Sequence, residues 1–180
     1  MADFPANVAT VTSSHQSQQS SSTYQLASVS LDLGLVKSID GLLMLAEIGV
    51  GLLHWTLIAS AFYTMVPAYG WVMFVAVTLW VLTIVLFLIL FLGVHHNFNS
   101  VSWPMVVMVY NGVSTVLYLT AFLANAASVS PYYNKLYYGH MAAAAFFGII
   151  VTLLYGASTF FSYMTWRDVG GNAAGSTVPT

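Results

Sequence analysis

Charge is what this sequence has least of. Its 180 residues include three Lys or Arg and five Asp or Glu, a formal net charge of −2 with His neutral. Soluble domains carry about 25% charged residues; here the share is 4%. So few charged side chains cannot coat a water-facing surface, which excludes a soluble globule. Three basic residues give no electrostatic footprint for a polyanion, which excludes a nucleic-acid partner. Cysteine is missing entirely, and with it disulfides, thiolate metal sites, a thiol nucleophile and S-palmitoylation. What the chain does contain is hydrocarbon: 59% hydrophobic residues, 15% aromatic, and a mean hydropathy of +0.83. The solvent for such a chain is lipid.

Ser, Thr and Gln dominate residues 10–30. That stretch has too little apolar surface to offset chain entropy, and it predicts a disordered tail over 1–36. With no basic start and no apolar core, it is not expected to act as a signal peptide; Ala2 argues against myristoylation. Four apolar stretches follow, at 38–61, 70–94, 103–128 and 139–165. Each is near the ~20 residues a helix needs to cross ~30 Å of hydrocarbon. The expected fold class is therefore an all-α integral membrane protein, a four-helix transmembrane bundle over 37–167 with a second tail over 168–180. Ser38 is placed to cap the first span, and Pro104 sits in the first turn of the third, where its missing N–H costs nothing.

An even number of spans puts both termini on one side. Lys37 and Arg167 fall there and Lys135 falls opposite, so the positive-inside rule predicts cytosolic termini. Aromatic residues bracket the spans as interface anchors should. Trp71 lies with Phe62 and Tyr69 at one loop, and Tyr137 with Tyr132 and Tyr133 at another. Trp103 with Phe98, and Trp166, mark the opposite interface.

Lipid tails are as apolar as Leu, so helices associate through small residues and polar contacts. Ala121 in span three and the small-xxx-small pair Ala144 and Gly148 in span four predict close packing of those two helices. Asp40, Glu47 and His54 recur at seven-residue spacing, on one stripe of span one; Asn111, Tyr118 and Asn125 make a matching stripe on span three. Glu47 and His54 stand ~10.5 Å apart along the axis, too far to pair directly, so Glu47 is expected to find its partner on span three. An intramembrane acid raises the prospect of a proton or cation path. The plainer reading, a hydrogen-bonded packing element, is favoured, because span two adds almost no polar station. No Ser–His–Asp set falls at one depth and no ligand cluster has metal spacing, so neither catalytic residues, nor a metal, nor a cofactor is expected.

Four strings carry more than composition: EIGVGLLHWTLIA (47–59), PAYGWVMFVAV (67–77), VLYLTAF (116–122) and ASTFFSYMTWR (157–167), together with the opening MADFP and the closing GGNAA. Over about residues 31–175 the chain resembles the MARVEL-domain tetraspan proteolipids. It departs from that pattern at Glu47 and His54, where the family is mainly apolar or uncharged. The resemblance implies a MARVEL-type bundle and membrane lipids as partners, ordered cholesterol- and sphingolipid-rich ones among them. It further implies vesicle formation and sorting, in myelin or apical plasma membrane and in endosomal or Golgi vesicles, with no catalytic residues. Self-association to a homo-oligomer, and trafficking adaptors on the cytosolic tails, are expected with it. Two competing readings are an oligomeric potassium or proton channel using the span-one stripe, and an escort for another membrane protein.

Overall fold

Backbone N–H and C=O groups find no partner in hydrocarbon, so each segment must satisfy its own as a helix. The computed structural model describes residues 32–61, 63–97, 102–130 and 136–175. Its helices are α1 (Leu33–Lys37), α2 (Ile39–Ala59), α3 (Ala68–Phe91), α4 (Trp103–Ala127) and α5 (Tyr138–Gly175), with short 3-10 turns at Tyr63–Met65 and Val94–Asn97. Among the described residues, four helices are long and apolar enough to cross a membrane: α2, α3, α4 and Tyr138–Asp168 of α5. Most of the polar tail, with Phe62, Phe98, Tyr132, Tyr133 and Lys135, lies outside the described residues.

The boundaries move for local reasons. Residues 33–37, counted largely with the tail from composition, form α1 because Asp32 accepts from the Gly34 and Leu35 amides. Ser38 then joins α1 to α2: its hydroxyl donates to the Leu35 carbonyl at 2.7 Å and accepts from the Gly41 amide at 3.1 Å. Gly41 admits this contact only because it lacks a side chain, since a Cβ there would sit 1.9 Å from the Leu35 carbonyl oxygen. At the far end of α3 the chain reverses at Gly93, whose φ of 65° is left-handed. α5 continues past Arg167 into the stretch assigned to the second tail.

The spanning helices form a closed ring of neighbours, with α5 packed on α2 and α4, and α3 completing the circuit. α4 and α5 approach through reciprocal small-residue contacts. The open side of Gly112 faces Thr159, and that of Gly156 faces Thr115; the two threonine hydroxyls lie 3.2 Å apart. An apolar core of Ile58, Tyr69, Val72, Leu79, Ala121, Met141, Ala144 and Val151 fills the half of the bundle away from the termini. Outward stand Leu53, Phe74, Val85, Val116, Leu123, Phe146, Leu153 and Phe160, all exposed. Hydroxyls on that lipid-facing surface bond back to their own helix, Thr56 to Leu52, Ser60 to Leu57, Thr120 to Leu117 and Thr165 to Phe161. This is the arrangement in which a hydroxyl can face hydrocarbon.

Candidate functional site: the polar core of the bundle

The polar side chains of the spans converge on the bundle interior. Glu47 is 2% exposed, and its Oε1 accepts from the Ser158 hydroxyl of α5 at 2.5 Å. The partner therefore comes from the fourth span, not from the α4 stripe that the heptad spacing suggested. On that stripe Asn111, Tyr118 and Asn125 are all buried, but they meet other neighbours. Asn111 donates to the Ser162 hydroxyl at 3.4 Å. Tyr118 stacks on Tyr155 with ring centroids 5.4 Å apart. The backbone carbonyl of Asn125 accepts from the Tyr69 hydroxyl at 3.5 Å.

His54 is fully buried, and its Nδ1 lies 2.8 Å from the Ala144 carbonyl. A carbonyl only accepts, so Nδ1 carries the proton. The imidazole occupies the space left by a missing side chain: a Cβ on Gly148 would lie 2.9 Å from its Cε1 and 3.3 Å from its Nδ1. Ala144 and Gly148 thus form a seat for the α2 histidine, whereas the sequence had suggested an α4 contact. Gly112 and Gly156 line the α4–α5 approach, and Ala121 and Ala144 are both buried in the shared apolar core.

Residues that sequence reasoning missed form the hub of the interior. Thr83 of α3 is 1% exposed. Its hydroxyl lies 2.5 Å from that of Tyr155, 2.7 Å from that of Tyr110 and 2.9 Å from the Leu79 carbonyl. Tyr110 reaches the same carbonyl at 3.0 Å. One proton arrangement serves every short contact: Tyr155 and Tyr110 both donate to Thr83, and Thr83 donates to Leu79. Three helices are tied together at one point. Trp80 adds a further tie between α2 and α3, donating its indole N–H to the Ile48 carbonyl at 2.9 Å.

The remaining sequence candidates lie at the two ends. Asp40 is partly exposed in the first turn of α2. Trp71 is exposed and donates to the Thr120 hydroxyl at 3.2 Å. Tyr137 lies against His140, with ring centroids 6.2 Å apart. Trp166 is exposed beside Tyr163, and Trp103 packs edge-on to His95. Among the described residues no three His, Asp or Glu side chains converge as a metal site would require. Chemically, the interior combines hydrogen-bonded ties between helices with buried polar atoms that have no hydrogen-bond partner among the described residues, Glu47 Oε2, His54 Nε2 and the Asn125 side-chain amide among them.

Comparison with known proteins agrees with this architecture. The sequence profile of the MARVEL family, described as a membrane-associating domain, matches residues 35–161. Plasmolipin of Danio rerio is 55% identical, the match covering 99% of each chain. Plasmolipin of Homo sapiens is 48% identical over 98% of this chain and 96% of its own. The human CKLF-like MARVEL transmembrane domain-containing protein 8 is 40% identical over 88% and 92%. No solved structure matches the chain.

Proposed function

The chain belongs to the MARVEL family of membrane-associating proteins, and from that premise we propose that it is a non-enzymatic organiser of membrane. In this reading the bundle associates with ordered, cholesterol- and sphingolipid-rich bilayer, self-associates there, and gathers that lipid into patches from which vesicles form. The sites of action are plasma membrane of the myelin or apical type and endosomal or Golgi vesicles. Both termini face the cytosol, where they recruit trafficking adaptors. Trp71, Trp103, Tyr137 and Trp166 serve as interface anchors, and a bundle with such a belt prefers bilayer of matching thickness.

The observation that carries the reading is the division between inside and outside. Glu47, His54, Thr83, Asn111 and Asn125 are buried, and the exterior is mainly hydrocarbon, with the Thr56, Ser60, Thr120 and Thr165 hydroxyls turned back to the backbone. A surface of that kind acts on lipid by shape and length. The channel alternative needs Glu47 on a shared axis between copies; its carboxyl is engaged with Ser158 of the same bundle.

The test is partitioning of the purified chain in giant vesicles with coexisting ordered and disordered phases. Enrichment in the ordered phase, together with multi-step photobleaching of labelled protein, is the expected result. A monomer confined to the disordered phase would overturn the reading.

A further inference from the structure

At the end of the bundle that carries the termini, a half-open cavity of about 240 Å³ lies between the start of α2, the start of α4 and the end of α5. Its walls are apolar, with Met44, Leu90, Trp103 and Val107 among them, and Asp40 is the acid that lines it. Most polar groups there already have partners: Thr165 is bonded to the Phe161 carbonyl and Ser162 to Asn111. Two groups do not. The Asp40 carboxylate, partly buried, makes no hydrogen bond or ion pair among the described residues. The Trp103 indole Nε1 is buried with no hydrogen-bond partner among them.

These two open valences have opposite character. A carboxylate against apolar walls calls for a cation that can also donate hydrogen bonds. An indole N–H calls for an acceptor, and its ring face attracts a cation. The hydrocarbon walls at the membrane end call for an acyl chain. A cavity of this size is below the ~300 Å³ lower bound for drug-sized ligands, so it suits a headgroup with the first part of one chain. From this we infer that the cavity is a binding site for a phosphatidylethanolamine molecule, its ammonium on Asp40 and its phosphate on the Trp103 N–H. Choline lipids present the same phosphate but no N–H, so they leave the carboxylate without a hydrogen bond. Lys37 lies one helical turn before Asp40, and Arg167 two residues beyond Thr165; both are exposed, on the same side as the lipid phosphate. The inference stands apart from the organiser reading, because it needs only membrane insertion.

The experiment is native mass spectrometry of the full chain released from micelles doped with phosphatidylethanolamine or phosphatidylcholine of identical acyl chains. The expected result is about tenfold greater retention of the ethanolamine lipid, the ratio that one charge-assisted hydrogen bond of ~1.5 kcal/mol supplies. Asp40→Asn should remove that preference, Asp40→Glu should keep it, and Trp103→Phe should weaken retention severalfold. Asp168→Asn, an exposed acid at the same end, should change nothing. Melting temperatures of each variant separate lost binding from lost fold. Equal retention of the two lipids overturns the assignment, as does an ethanolamine preference that survives Asp40→Asn in folded protein. Displacement of the bound lipid by an uncharged sterol, with equal effect in native and Asp40→Asn protein, also overturns it.

Discussion

Gly148→Leu is expected to lower stability by about 2–4 kcal/mol, the largest single-residue effect foreseen for this bundle. Even the first added carbon would lie 2.9 Å from the His54 ring. The ring has nowhere to go, because it is fully buried and tilted against Tyr118 at a centroid distance of 5.8 Å. Relieving the clash means losing the Nδ1–H bond to Ala144 or spreading α2 from α5. Unfolding by SDS titration in mixed micelles measures the loss. A second variant gives the cause. His54→Ala alone should cost about 1–3 kcal/mol through the void it leaves, since the Ala144 carbonyl keeps its helical partner. The pair Gly148→Leu with His54→Ala should cost clearly less than the sum, because one fills the space the other empties. Strict additivity would show that Gly148 does not act through His54.

Thr83→Val is the second large effect, about 1–3 kcal/mol by the same titration. Valine keeps the shape but removes the oxygen at which two phenols meet. Tyr110 retains the Leu79 carbonyl at 3.0 Å, whereas Tyr155 loses its short 2.5 Å bond to Thr83 and keeps only the neighbouring Tyr110 hydroxyl. A buried hydroxyl with its best partner removed costs up to about 1–3 kcal/mol; interhelical hydrogen bonds within membranes average nearer 0.6, with a ceiling of about 1.7. Tyr155→Phe removes the donor instead and leaves Thr83 bonded to Leu79, so it should cost less than Thr83→Val. Equal costs for the two would show that the hub is not organised around the threonine.

The spans were legible because ~20 apolar residues in a row have few other readings. The inward side of α2 and α4 was legible for a related reason: seven residues return to the same helical face, so Glu47 and His54, or Asn111, Tyr118 and Asn125, fall into line. Their partners were not legible. Heptad spacing orders residues along one helix and carries no information about which neighbour faces it. Ser158 and Ser162 read as ordinary small residues until α5 is set beside α2 and α4. Thr83 was hidden for a different reason. α3 is apolar on every side, so no periodicity marks the face on which its hydroxyl lies. Glycine gave a third kind of difficulty. Gly112, Gly148 and Gly156 are alike in sequence, yet only the crossing geometry assigns the first and third to the α4–α5 contact and the second to the histidine seat. Glu47 and His54 stood out in the sequence as polar residues inside an apolar span. In the structure both acquire α5 partners, a hydroxyl for one and a carbonyl with a glycine seat for the other.

The account turns on one claim: the intramembrane polar groups hold the bundle together and do not line a path through it. Ion flux into proteoliposomes containing the purified, inserted chain tests this most directly, with Glu47→Gln measured beside the native sequence. Glutamine keeps an oxygen to accept from Ser158, so both proteins should be folded and neither should pass potassium or protons above the lipid background. Protein-dependent flux in the native chain that Glu47→Gln abolishes would contradict the account and make Glu47 part of a conducting path.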